Sequence, residues 1–151
     1  MMKTNINASL LAASLGLFGT LASLDALGNE RHERGMDVMN HLSGGAGQPV
    51  LNALREDYPF LADSVTAYAL GDVWGRTGLD DRTRQLAAVA AFAAQGNLAY
   101  MKIHAGYALR LGATRDELKE VVYLTTVTAG FPRAIDAAQA LREVPDPAAA
   151  R

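Results

Sequence analysis

Apolar positions along the chain recur at helical rather than strand spacing, with glycine and proline punctuating them. Residues 6–22 form an apolar run broken only by small or polar residues such as Ser9, Ser14, Gly16 and Gly19. Residues 29–42 predict a charged helix whose apolar contributors are Met36, Val38 and Met39, and Ser43-Gly44-Gly45-Ala46-Gly47 breaks it. A short helical turn is expected over 49–55. Pro59 suits a first helical turn, where its missing N–H costs nothing, and Leu61, Val65, Tyr68 and Val73 continue from it at near-helical spacing.

Asp80 or Asp81 can cap the next helix, and residues 86–94 are apolar nearly all the way round, which predicts a centrally buried helix. Gly96 ends or kinks it; a helix over 97–111 follows, stopped by Gly112 at a typical C′ position. Thr114-Arg115-Asp116-Glu117 is a capping-box pattern, with acids placed early where the helix dipole favours them. The helix it launches is expected to run to about 129. Gly130-Phe131-Pro132 turns the chain into a last helix through about 142, and 145–151 reads as a disordered tail. With no convincing β-alternating run and no internal repeat, the expectation is an all-α domain of about six helices over 29–144.

The N-terminal 28 residues have the layout of a secretory leader. Lys3 and the amino terminus make a weak positive region, the apolar run follows, and Ala26-Leu27-Gly28 puts small residues where a cut before Asn29 needs them. A periplasmic or secreted mature chain is therefore expected, without stable membrane insertion after cleavage. The apolar run also approaches the ~17 residues that span a bilayer, so an uncleaved anchor remains the other reading.

A length of 151 residues, half of them hydrophobic, fits one domain with a real core. A net charge of −2 and scattered basic residues, densest at Arg76, Arg82 and Arg84, exclude a nucleic-acid footprint. Zero cysteines exclude disulfides, thiolate nucleophiles and thiol peroxidase chemistry. His32 and His41 lack a recognised metal spacing, and Glu30, Glu33 and Asp37 fit a solvated face, so no metal site is expected. The Gly44–Gly47 stretch lacks the Lys-Ser/Thr of a phosphate loop.

The richest chemistry lies on the 97–111 helix. At about 100° per residue, Asn97, Tyr100, His104, Tyr107 and Leu111 share a stripe beside the apolar one of Leu98, Met101, Ala105 and Ala108. His104 thus sits at the border of the core, where an imidazole can face a pocket and have its pKa tuned for proton transfer. The same position suits a helix histidine hydrogen-bonded at an interface, and spacing alone leaves both open.

Gly71-Asp72-Val73-Trp74, Gly78-Leu79-Asp80 and Arg82-Thr83-Arg84 precede the alanine-rich helix. His104, Ala108, Gly112-Ala113-Thr114, Glu117, Glu120-Val121 and Gly130-Phe131-Pro132 follow it in order. This series resembles the carboxymuconolactone decarboxylase family, of alkylhydroperoxidase D-like fold, over roughly 31–142. The family's peroxidase branch uses a Glu, a Cys-x-x-Cys pair and a His; here Gln85, Asn97, Tyr100 and His104 stand at those positions, and only the His is kept. The decarboxylase branch implies a lyase that uses no cofactor, on a small carboxylated or lactone-like substrate that leaves an enolate-like anion. Such chemistry needs a carboxylate anchor, donors to the oxyanion and an acid for carbon. His104, Tyr100 and Arg84 are the candidate catalytic residues; Asn97, Gln85 and Trp74 are the candidate substrate-binding ones. Arg84 also fits a surface or intersubunit ion pair, and Tyr100 and Trp74 also fit packing.

Two features depart from the family pattern: the leader, and Thr128 where many relatives carry Tyr. Both bear on which substrate is used; the leader, together with the loss of the redox set at Gln85, Asn97 and Tyr100, gives a second reading, an exported non-catalytic small-molecule-binding or assembly protein that kept the fold. Relatives assemble through helix faces, which implies a homotrimer or homohexamer covering Trp74, Phe92, Leu124, Val127 and Phe131.

Overall fold

The computed structural model describes residues 8–145, with side chains from residue 26 onward; of the tail expected over 145–151, all but the first residue lies outside the described residues. The described chain is all-helical. Seven α-helices are present where about six were expected: α1 (Ala8–Ser43), α2 (Pro49–Asp57), α3 (Pro59–Ser64), α4 (Asp81–Gln95), α5 (Leu98–Arg110), α6 (Arg115–Thr128) and α7 (Phe131–Arg142). A π-helical segment, Val65–Trp74, continues α3. Residues on both sides of the predicted cut before Asn29 belong to the single helix α1. Among the described residues no helix is long and apolar enough to cross a membrane.

The chain divides into two compact units. Among the described residues, the first holds 8–39 and 48–75. Its core is Met39, Leu51, Ala62 and Leu70, with Val38, Leu54, Val65 and Trp74 packed against it. Glycines let α1 and the π segment come together: a Cβ on Gly35 would fall inside the Thr66 carbonyl, and one on Gly71 inside the Arg31 carbonyl. Charge reinforces the crossing, because Arg31 and Arg34 both pair with Asp72 and Arg34 Nε donates to the Gly71 carbonyl at 3.0 Å. The Arg31 guanidinium beside Asp72 holds that carboxyl below the usual carboxylate range.

This unit refines one expectation. The segment of Leu61, Val65, Tyr68 and Val73 is helical, as their spacing predicted, but its helix is of the π type from Val65 on; Leu61, Tyr68 and Val73 are exposed, and Ala62, Thr66, Leu70 and Gly71 are buried. Close helix approach selects small residues over large ones, and the wider π turn carries the buried positions along at steps of four. The Gly75 N–H reaches back five residues to the Leu70 carbonyl at 2.9 Å, which is the π pattern.

Among the described residues, the second unit holds 40–47 and 76–145. Val89 and Ala93 of α4, Met101, Ala105 and Ala108 of α5, Leu118 and Val122 of α6, and Ala134, Ala137, Ala140 and Leu141 of α7 supply its core. The prevalence of alanine lets these helices pack close. The 86–94 stretch is less enclosed than its composition suggests, since Ala87 and Ala91 are exposed. Alanine is a strong helix former as well as a core residue, so an apolar run of alanines need not be buried all round.

The helix ends follow their signals. Asp80 caps α4, accepting from the Thr83 N–H at 2.9 Å and from the Thr83 hydroxyl at 2.6 Å. Gly96, at φ 75°, closes α4, and the Asn97 N–H bonds the Phe92 carbonyl at 2.9 Å. So short a connection makes α4 and α5 antiparallel neighbours. Thr114 and Glu117 form the full capping box of α6. Glu117 also accepts from Arg82, which ties α6 to the start of α4.

Candidate active site

Antiparallel packing of α4 on α5 brings Gln85 and His104, nineteen residues apart, into contact. Gln85 lies on the inner face of α4 with Val89, and Phe92 lies about two turns along from it. Gln85 is fully buried, and its Oε1 stands 2.7 Å from His104 Nδ1. The Phe92 ring stacks on the imidazole, with centroids 5.1 Å apart and planes 23° apart. The Tyr107 ring meets it edge-on at 6.0 Å and 86°. The imidazole is thus held on two sides by aromatic rings and at one nitrogen by an amide.

These surroundings settle its charge. Burial pushes the His104 pKa down from its ordinary value of 6.5 to about 4. Taking an imidazolium out of water into an apolar shell is costly, so the ring stays neutral near pH 7. Gln85 carries no charge to offset that cost, unlike the Glu of the peroxidase pattern. Among the described residues, no partner faces the Gln85 Nε2 group, itself buried.

The other candidates fall in varied places. Tyr100 is 45% exposed, one turn before His104, and its ring stacks on Phe92 at 5.6 Å. Asn97 is half-buried at the start of α5, and its side chain makes no capping bond there. Phe92 therefore stacks on both Tyr100 and His104, with the buried Gln85 on the Nδ1 of the imidazole and Asn97 at the start of the same helix α5. Arg84 lies next to Gln85 in sequence, but its Nη2 donates to the Arg76 and Leu79 carbonyls at 2.6 and 3.2 Å. It braces the loop before α4. Trp74 is half-buried in the first unit, packed on its core.

Phe92 and Tyr107 were not singled out from sequence as site residues. Tyr107 has a signal, since it shares the His104 stripe. Phe92 has a fainter one, its place seven residues after Gln85 on the same side of α4.

A separate open cleft of about 240 Å3 lies on α6 and α7, lined by Arg115, Lys119, Val122, Tyr123, Ala138, Leu141 and Arg142. Arg115 donates there to the carbonyls of Leu141 and Val144, and Lys119 pairs with Asp116 at 2.7 Å. No carboxylate or imidazole is among the residues that line the cleft. None of the His104 group lines it.

An all-helical fold with a half-buried, neutral imidazole and no thiol is suited to proton transfer. The carboxymuconolactone decarboxylase family matches residues 59–143, and the chain belongs to that family. It is 29% identical to 4-carboxymuconolactone decarboxylase of Acinetobacter baylyi over 119 residues, covering 76% of this chain and 87% of that protein. It is 33% identical to nitrosuccinic acid decarboxylase of Metarhizium robertsii over 122 residues, covering 76% of this chain and 84% of that one.

Proposed function

We propose that this chain is a lyase that removes CO2 from a small carboxylated or lactone-like acid without a cofactor, using His104 as its proton carrier. The observation that carries this reading is the neutral imidazole held between Gln85, Phe92 and Tyr107. Similarity to two decarboxylases supports the reaction class.

Departure of CO2 leaves an electron pair on carbon, and the reaction is slow unless that pair is delocalised and then protonated. A lactone or nitro group, as in the acids that name the two relatives, can take it up. Tyr100 and Asn97 are the candidate donors to the resulting oxyanion. An anion bound beside His104 offsets the cost of charging the half-buried ring, so the imidazole takes a proton from solvent on binding. It passes that proton to carbon as the C–C bond breaks and returns to neutral, ready for the next proton from solvent. One proton is consumed and one CO2 released per turnover. Arg84, braced on the loop, serves as a cationic anchor for the substrate's carboxylate at the edge of the site.

The test is CO2 release from a panel of lactone acids, nitro acids and plain dicarboxylates, with wild type and His104→Ala compared. Release from at least one activated acid is expected, with turnover at least ~10²-fold lower in the variant. Saturable binding of such acids with no CO2 release would overturn the lyase reading in favour of a binding protein. Equal turnover in the two proteins would remove His104 from the reaction.

A further inference from the structure

The geometry points to Gln85 as a positioning residue that keeps the His104 proton on Nδ1, so that Nε2 is the nitrogen that carries protons to and from substrate. The inference rests on the lyase reading for its use, but its structural content can be checked without any substrate.

The argument starts from the contact itself. At 2.7 Å, the separation between His104 Nδ1 and Gln85 Oε1 suits an N–H···O bond, in which Nδ1 donates and the amide oxygen accepts. An amide oxygen cannot donate, so this bond exists only while Nδ1 is protonated. That requirement holds for the neutral ring and for the imidazolium alike. Nδ1 therefore keeps its proton through the cycle, and proton exchange falls to Nε2.

The placement of Gln85 fits this task and not direct contact with substrate. Its side chain has no exposed surface, so it acts through the ring it holds. Phe92 stacked on the ring and Tyr107 against its edge restrict rotation about the Cβ–Cγ bond, which would otherwise exchange the two nitrogens. Gln also differs usefully from Glu. Both accept from Nδ1–H, but a carboxylate would favour the imidazolium in the resting protein, whereas the neutral amide lets the ring charge when an anion arrives. The arrangement has a cost, because the Gln85 amide nitrogen is buried with no partner among the described residues.

Nitrogen NMR of the full-length protein labelled at its histidines tests the assignment, with the His104 signals identified by their loss in His104→Asn. In wild type near neutral pH, Nδ1 is expected to be protonated and Nε2 not. Gln85→Leu keeps the bulk and removes the acceptor. It should show a mixture of both tautomers, melt no lower than wild type, and lose at least roughly tenfold in kcat with KM little changed. Gln85→Glu keeps an acceptor and should keep Nδ1 protonated, with Nε2 protonated as well where the carboxylate charges the ring. Finding the Nε2–H tautomer in wild type overturns the assignment, as does an unaltered tautomer in Gln85→Leu. Wild-type NMR alone decides the point if a variant fails to fold. A correct tautomer without CO2 release would instead sink the lyase reading and leave the positioning role standing.

Discussion

His104 gathers the chemistry of this chain because three neighbours act on one ring in different ways. Gln85 holds a nitrogen, Phe92 covers a face, and Tyr107 limits its rotation. Burial makes the ring a pH-sensitive element of stability. Its pKa is about 4 in the folded protein against 6.5 as the ordinary value, so between these limits the unfolded chain binds the extra proton. The stability it carries is present above about pH 6.5 and is lost as pH falls towards 4, by on the order of 2–3 kcal/mol. Urea denaturation across this range should show that loss in wild type and a flatter profile in His104→Asn; parallel profiles would contradict the half-buried neutral ring. His104 was legible in sequence from its stripe with Asn97, Tyr100 and Tyr107, because helical periodicity is a local property. The Gln85 contact was not, since a partner nineteen residues away on another helix depends on how α4 packs against α5.

The helix ends were legible for the same local reason. The Thr114–Glu117 box and the Asp80 cap both use side chains within three residues of the groups they satisfy. Thr114→Ala should cost about 1 kcal/mol in chemical denaturation, the usual worth of an N-cap, and leave the fold intact. The π segment was not legible. Its inward face is set by α1 crossing it at Gly35 and Gly71, a contact between segments distant in sequence that local spacing does not report. Gly35→Ala or Gly71→Ala should therefore cost far more than the cap, about 3 kcal/mol or above, because the new methyl meets backbone that cannot step aside. A loss below that of Thr114→Ala would show the crossing to be looser than the structure has it.

On the scale of the whole molecule, α6 and α7 leave a band of large apolar side chains in water. Leu124, Val127 and Phe131 are 63%, 84% and 70% exposed, and Tyr123 and Ile135 adjoin them in sequence spacing. Large apolar side chains left in water on a small domain are a liability unless something covers them. A second copy of this chain is the proposed cover, in a closed trimer or hexamer. Light scattering after size exclusion should give a multiple of the 16.0 kDa chain mass, or of the shorter mature mass if the leader is removed. Val127→Glu should shift it towards a single subunit, and a wild-type monomer at micromolar concentration would refute the assembly. Export is a separate proposal, resting on the leader pattern of the first 28 residues. Intact mass of the protein from its native cell should correspond to a chain starting at Asn29, and an uncut species in the cytosol would contradict it.

The central claim, proton delivery to carbon by a half-buried histidine as CO2 departs, is tested most directly by running the reaction in D2O and following product by NMR. With an acid that yields a carbon bearing distinguishable hydrogens, the account predicts one deuterium per CO2 released, placed on a single face of that carbon. Label spread equally over both faces by the wild-type protein would mean that bulk solvent, and not His104, delivers the proton.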